Sequence, residues 1–208
     1  MTKKALFISG GWDGHEPIET SEFISEKIKI FNIESKIVND LDVMTDLEYL
    51  KSFDVILPVW TMGQIDDNNW EIKNSKVGNL QEAVHSGVGL AGWHGGMSDA
   101  FRDNTNYQFL VGSQFVCHPG NFVDYEVNII EKNHEIVDGI RDFEVYSEQY
   151  FLHIDPSINI IASTKFNKKY HEWIDGVEMP VAYTKTWGSG KIYPVSYTHL
   201  TLPTKRIV

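Results

Sequence analysis

The apolar run Val88-Gly89-Leu90-Ala91-Gly92-Trp93-His94-Gly95-Gly96, which ends on a glycine-flanked histidine, is the part of this chain best suited to chemistry. A short buried strand followed by Gly-x-(polar)-x-Gly is how α/β enzymes build a strained turn that lifts one reactive side chain above the carboxyl edge of a sheet. Here the raised residue is His94. An imidazole in that place can act as base, acid or metal ligand, whereas acyl transfer needs the Cys or Ser nucleophile that such turns present elsewhere. The plainer reading is a tight turn whose histidine makes only local hydrogen bonds. Two further clusters of glycine and histidine favour the chemical reading.

The first of these, Gly10-Gly11-Trp12-Asp13-Gly14-His15-Glu16-Pro17, follows an apolar run at the N-terminus. Trp12 offers a flat apolar face of the kind that stacks on a sugar ring, and Asp13 and His15 supply polar contacts. Capping of the next helix by Asp13 or Glu16 would explain the acids but not Trp12 and His15. In the second, Phe115-Val116-Cys117-His118-Pro119-Gly120, Pro119 and Gly120 shape a loop that presents His118. Beyond the His94 turn, the N–H groups opening a following helix would favour an anion or a polarised carbonyl. Arg102 either adds a fork-shaped donor there or pairs with Asp99 or Asp103. Asp13, His15, His94, His118 and Glu148 can converge as a general acid–base set or as an N/O site for a divalent metal. No His-x-x-x-His or His-Glu-x-x-His spacing is present, which favours the metal-free version. P-loop, Gly-x-Gly-x-x-Gly and Gly-x-Ser-x-Gly signatures are absent as well.

The elements that must position these residues read as one α/β domain. The chain has 208 residues, enough for one sizeable core, and its 42% hydrophobic and 23% charged content is ordinary for a globular enzyme. A net charge of −11 argues against general binding to nucleic acid or to an anionic membrane. No apolar stretch approaches the ~20 residues of a membrane span, and the N-terminus lacks a secretory cleavage pattern, so a cytoplasmic location is expected. The single cysteine, Cys117, rules out an intramolecular disulfide and suggests a buried, inert thiol.

Apolar runs at residues 4–9, 35–39, 54–60 and 88–92 predict strands. Helical periodicity over 19–31, 47–52 and 79–86 predicts the helices between them. The alternation implies right-handed crossovers and a mainly parallel sheet with helices on both faces. Runs at 123–130, 143–150, 158–163, 181–186 and 191–193, separated by turn residues, predict the sheet's edge and an antiparallel appendage.

The ordered set Gly11-Trp12-Asp13-Gly14-His15, Gly92-Trp93-His94-Gly95-Gly96, Gly112 to Gly120, Ser147-Glu148-Gln149-Tyr150 and Met179 to Tyr193 resembles the ThuA-like family, named for trehalose utilisation. The resemblance implies a flavodoxin-like three-layer α/β sandwich with a mainly parallel central sheet, of the class I glutamine amidotransferase-like type. It also implies a role in carbohydrate metabolism. On this reading the protein is an enzyme acting on a disaccharide or keto-sugar by acid–base chemistry from His94, His118 and Glu148. Trp12, Asp13, His15, Trp93, Gly95 and Arg102 then bind the substrate. The alternative is a non-catalytic sugar-binding subunit that assists a sugar dehydrogenase. The expected partners are a small-molecule sugar, a sugar oxidoreductase and a second copy of the chain. Glutaminase activity is disfavoured because His94 replaces the nucleophile. Ser147 stands where the family commonly has Asp, which weakens a carboxylate pair with Glu148. After Gly190-Lys191-Ile192-Tyr193 the family usually continues into a Ser-Leu-Gly-His-like segment. Here residues 195–204 instead resemble a translated sequencing adapter, so the domain is expected to span 1–194 and residues 195–208 to form a poorly packed, non-native tail without its completing histidine.

Overall fold

The computed structural model describes residues 2–65 and 75–197. Along the chain come β1 (Lys3–Gly11), α1 (Pro17–Ile28), β2 (Ile33–Val38), α2 (Leu47–Lys51), β3 (Val55–Thr61), α3 (Lys76–His85), β4 (Gly89–Gly92) and α4 (Thr105–Val111). These are followed by β5 (Ser113–Cys117), β6 (Phe122–Ile129), β7 (Phe143–Glu148), β8 (Phe151–Ile154), β9 (Asn159–Lys165), β10 (Glu178–Trp187) and β11 (Gly190–Pro194). Among the described residues no helix is long and apolar enough to cross a membrane.

The layering follows from the two-residue period of β1 and β3. Ala5 and Phe7 face one side with Leu57 and Val59, where Ile24 and Ile28 of α1 cover them. Leu6, Ile8 and Ile56 face the other side, against Leu50 of α2, Val77 and Leu80 of α3, and Leu110 of α4. Both faces of these strands are therefore buried, and their sequences run apolar without alternation. Side-chain caps start the helices on the second face: Asp46 accepts from the Tyr49 amide, Ser75 from that of Gly78 and Asn104 from that of Tyr107.

Nine strands form one sheet in the order β2-β1-β3-β4-β11-β10-β9-β6-β7. From β2 to β11 each neighbouring pair is parallel, and from β11 to β7 each is antiparallel. The result is a flavodoxin-like α/β sandwich with a parallel core and an antiparallel extension. Strands β5 and β8 form a separate antiparallel ribbon packed on Phe166, Ile174 and Met179.

The structure corrects several expectations. The strand expected over 143–150 is broken: β7 stops at Glu148, Gln149 and Tyr150 leave the ladder, and β8 resumes at Phe151 to pair with β5. Residues 113–117, for which the sequence pattern predicted no strand, form that partner. The helix expected over 19–31 ends at Ile28, and a 3₁₀ turn leaves Ile30 and Phe31 exposed. Val195 to Tyr197, expected to pack poorly, join the fold. The Val195 amide donates to the Gly92 carbonyl, Ser196 bonds Val181 and Pro180, and Val195 and Tyr197 lie against the antiparallel core. Their apolar side chains meet an apolar surface beside β10, and the backbone continues the β11 ladder. The expectation for residues 198–208 falls outside the described residues.

Strand β11 is the seam between the two halves, with Leu90 of β4 on one side and Lys185 of β10 on the other as partners of Ile192. Ile192 is fully buried in the core beneath the parallel strands. Ile192→Ala should lower unfolding stability by about 3 kcal/mol, as expected for a truncated core aliphatic side chain. Ile30→Ala, at an exposed site, should change it by no more than about 0.5 kcal/mol. Denaturant midpoints measure both, and equal losses would contradict the role given to the seam.

Candidate functional site

Because β1, β3 and β4 are parallel neighbours, their carboxyl ends open at one sheet edge, the usual place for a ligand in this architecture. The loop after β1 carries Trp12 and His15, the end of β3 carries Thr61, and the turn after β4 carries His94. Buried Ser9 at the end of β1 is hydrogen-bonded to Ser21 of α1 at 2.6 Å, which ties the loop between them to the helix. The Glu16 side chain makes no cap for α1. The capping reading therefore fails for Glu16, which occupies the N-cap position.

Glu148 arrives from the opposite half of the sheet and becomes the centre of the site. His94 Nε2 lies 2.9 Å from Glu148 Oε2, His15 Nε2 lies 4.0 Å from the same oxygen, and His118 Nε2 lies 3.6 Å from Oε1. His94 is the deepest of the three rings, with its side chain 7% exposed, and His118 the most open, at 30%. His15 Nδ1 bonds the Thr61 hydroxyl at 2.9 Å, and His94 Nδ1 faces the Ser196 carbonyl at 3.4 Å. His118 Nδ1 is buried and has no hydrogen-bond partner among the described residues. The rings interlock, with Trp12 edge-on to His15 at 4.8 Å, His15 edge-on to His94 at 5.2 Å and Tyr150 stacked on His94 at 4.2 Å.

Gly95 makes this packing possible. Its φ is +80°, and a Cβ would stand 2.6 Å from His15 Nδ1, so both backbone and space require glycine. The Gly95 backbone also lies close enough to the His15 and Tyr150 side chains to act on their protonation, raising His15 and lowering Tyr150 against the larger effect of burial. Its contribution is thus to the setting of two site rings.

The electrostatics follow from the same contacts. The hydrogen bond from His94, reinforced by the charges of the surrounding imidazoles, holds the Glu148 carboxyl below the usual range against partial burial. Burial, with the charge of His94, lowers His15, while Glu148 and Asp99 oppose that shift. Burial pushes the Tyr150 hydroxyl up, so this ring remains a neutral phenol against His94.

Other expected site residues lie elsewhere or in a different setting. Trp93 packs beneath the turn against Phe7, at 6.4 Å, on the α1 side of the sheet rather than offering a stacking face to the cluster. Arg102 Nε donates to buried Asp99 at 2.5 Å, and its guanidinium lies over the Phe115 ring. Of the two readings for Arg102, the ion pair is the one formed. Asp13 is exposed in the Trp12 loop. No α-helix opens directly after His94: Gly96 and Asp99 donate their amides within the turn, a 3₁₀ turn spans Met97–Asp99, and α4 starts only at Thr105. Two adjacent glycines oppose helix propagation there. Cys117 is exposed rather than buried, and desolvation pushes its thiol up, the opposite of an activated nucleophile. Sequence reasoning missed Tyr150, Thr61 and the Ser196 carbonyl. The position of Thr61 at the end of a parallel strand was a usable signal, and so was the place of Tyr150 two residues after Glu148.

Both lowered groups bind fewer protons in the folded chain than in the unfolded one, so both make stability rise with pH. The His15 contribution is complete above its ordinary value of 6.5 and is lost as pH falls through its lower folded value. That of Glu148 is complete above 4.5 and is lost further into acid. His15→Gln should flatten the upper part of a stability-against-pH curve and leave the lower part in place. An unchanged upper part would contradict the burial of a neutral His15.

The family model for ThuA, described as trehalose utilisation, matches residues 4–201. Among solved structures, a ThuA-like protein from Parabacteroides merdae shares 16% identity at a TM-score of 0.69, over 94% of this chain and 79% of that one. A ThuA-like protein from Bacteroides uniformis shares 13% at 0.68, over 94% and 81%. A β-galactosidase from Bacillus circulans sp. alkalophilus shares 13% at 0.54, over 94% of this chain but 28% of the enzyme. At these identities the likeness is one of fold. No protein of curated function matches the chain. By the extent of the family match, this chain belongs to the ThuA, or trehalose utilisation, family.

Proposed function

We propose that the protein is an enzyme of carbohydrate metabolism that moves protons on a disaccharide or keto-sugar, with Glu148, His94 and His118 as its acid–base machinery. The observation that carries this reading is one partly buried carboxylate within 4.0 Å of three imidazoles from three separate loops. An imidazole that takes up a proton beside such a carboxylate gains a compensating charge. His118, the most open ring, is suited to accept a proton from a carbon beside a carbonyl. The electron pair then moves onto the carbonyl oxygen, where a second imidazole donates a proton. Glu148 stays ionised and orients the rings. Trp12, 52% exposed next to His15, offers the sugar a flat face. A thiol or hydroxyl nucleophile plays no part in this scheme.

A second reading rests on a specific geometry. His15, His94 and Glu148 each present one ligand atom, all within 4.8 Å of one another. Three N/O ligands of this kind suit a divalent metal. Such a metal would polarise the same carbonyl.

Incubation with disaccharides and their keto derivatives in D₂O, followed by NMR, tests the proposal. Deuterium should enter beside the carbonyl, and Glu148→Gln and His118→Asn should each slow this by about 10²- to 10⁴-fold without loss of fold. Binding without exchange would contradict catalysis and support the sugar-binding subunit instead. Under the metal reading, Zn²⁺ or Mn²⁺ should raise the melting temperature of the wild type but not of His15→Gln.

A further inference from the structure

A hollow of about 290 Å³ lies between β6, the end of β7 and the segment that follows β9. Its size is near the lower end for small-molecule sites, which run from about 300 Å³ upward. Three large aromatic side chains stand exposed around it: Phe122 at 56%, Tyr146 at 60% and Tyr170 at 40%. Exposed aromatics scattered singly need no explanation, but three around one concavity form a surface suited to a ligand. They are not needed by the core, because the alternate residues Val123, Tyr125 and Val145 already supply it.

Two of the hollow's walls are tied to the site by the chain. Phe122 pairs with Glu148 across the ladder, and Asp124 pairs with Tyr146. Cross-strand partners share a face, so these four side chains leave the sheet on the same side. Tyr146 precedes Glu148 by two residues, about 7 Å along an extended strand. The His118 loop forms the other connection: Gly120 has φ +89°, and a Cβ there would stand 2.3 Å from the Tyr170 ring. Glycine therefore lets the loop that presents His118 lie directly against the wall of the hollow.

On this geometry the structure assigns the hollow as a binding subsite for a second sugar ring, the partner of the ring held at Glu148 and His118. This inference rests on the carbohydrate reading above and makes the substrate a disaccharide or glycoside rather than a single sugar. The C–H face of a pyranose suits Phe122 and Tyr146, while its hydroxyls meet Asp124, Asn167 and Lys169 at the rim. One acid and one base leave the lining without the excess positive charge that a phosphate or carboxylate ligand requires. Lys169 Nζ already lies 5.1 Å over the Tyr170 ring, which orients its N–H groups beside the hollow.

The experiment is an NMR affinity measurement with trehalose, maltose and cellobiose as two-ring probes and glucose as the one-ring probe, on wild type, Tyr146→Ala and His118→Asn. Tyr146 is exposed, so its replacement leaves the core intact. We expect Tyr146→Ala to weaken at least one two-ring sugar about tenfold, the equivalent of 1.4 kcal/mol, while glucose binding stays unchanged. His118→Asn should weaken both classes. Equal binding of every two-ring sugar to wild type and Tyr146→Ala, with His118→Asn still harmful, would overturn the subsite and leave the carbohydrate reading standing. Binding of no sugar by the wild type would overturn both.

Discussion

A carboxylate removed from most of its water must have its charge answered, and the arrangement of this molecule turns on how Glu148 is answered. It is 14% exposed and receives a 2.9 Å hydrogen bond from His94, with His15 and His118 close behind. A group in that position is costly when unpaired. The two principal partners sit on the parallel half of the sheet, whereas Glu148 ends β7 at the far edge of the antiparallel half. The chain closes that gap by leaving the ladder at Gln149 and Tyr150 and starting the β5–β8 ribbon, which places Tyr150 against both His94 and Phe115.

The rest of the structure makes this crossing rigid. Strand β11 bonds to β4 on one side and β10 on the other, so the two halves share one continuous ladder. Val195 and Ser196 extend it, and the Ser196 carbonyl reaches His94. The aromatic contacts among Trp12, His15, His94 and Tyr150 then fix ring orientations that hydrogen bonds alone would leave free to rotate. Two glycines set the limits of approach, Gly95 under His15 and Gly120 under Tyr170.

Much of this was legible in the sequence because it rests on local patterns. Apolar runs ending in glycine located β1 and β4, and the three glycine–histidine loops were recognisable from composition alone. What failed were inferences that depended on tertiary partners. Trp93 has the same residue type and nearly the same setting as Trp12, yet the turn sends it towards Phe7 and the core. Arg102 had two plausible partners in sequence, and the buried charge of Asp99 decided between them. The break between β7 and β8 carries no glycine or proline, since what interrupts the strand is the pairing of Phe151 with Cys117 and the burial of Tyr150, both long-range effects. Val195 to Tyr197 looked foreign in composition but are apolar enough to satisfy an exposed ladder and an apolar surface.

The central claim is that one carboxylate organises three imidazoles across the two halves of the sheet. Side-chain ¹⁵N NMR of the histidines in wild type and in Glu148→Gln tests it most directly, since Gln keeps the shape and removes the charge. The imidazole resonances of His15, His94 and His118 should all move, while those of His85 and His171, which lie outside the cluster, stay in place. Movement confined to His94 would reduce Glu148 to the partner of a single histidine and would contradict the shared site.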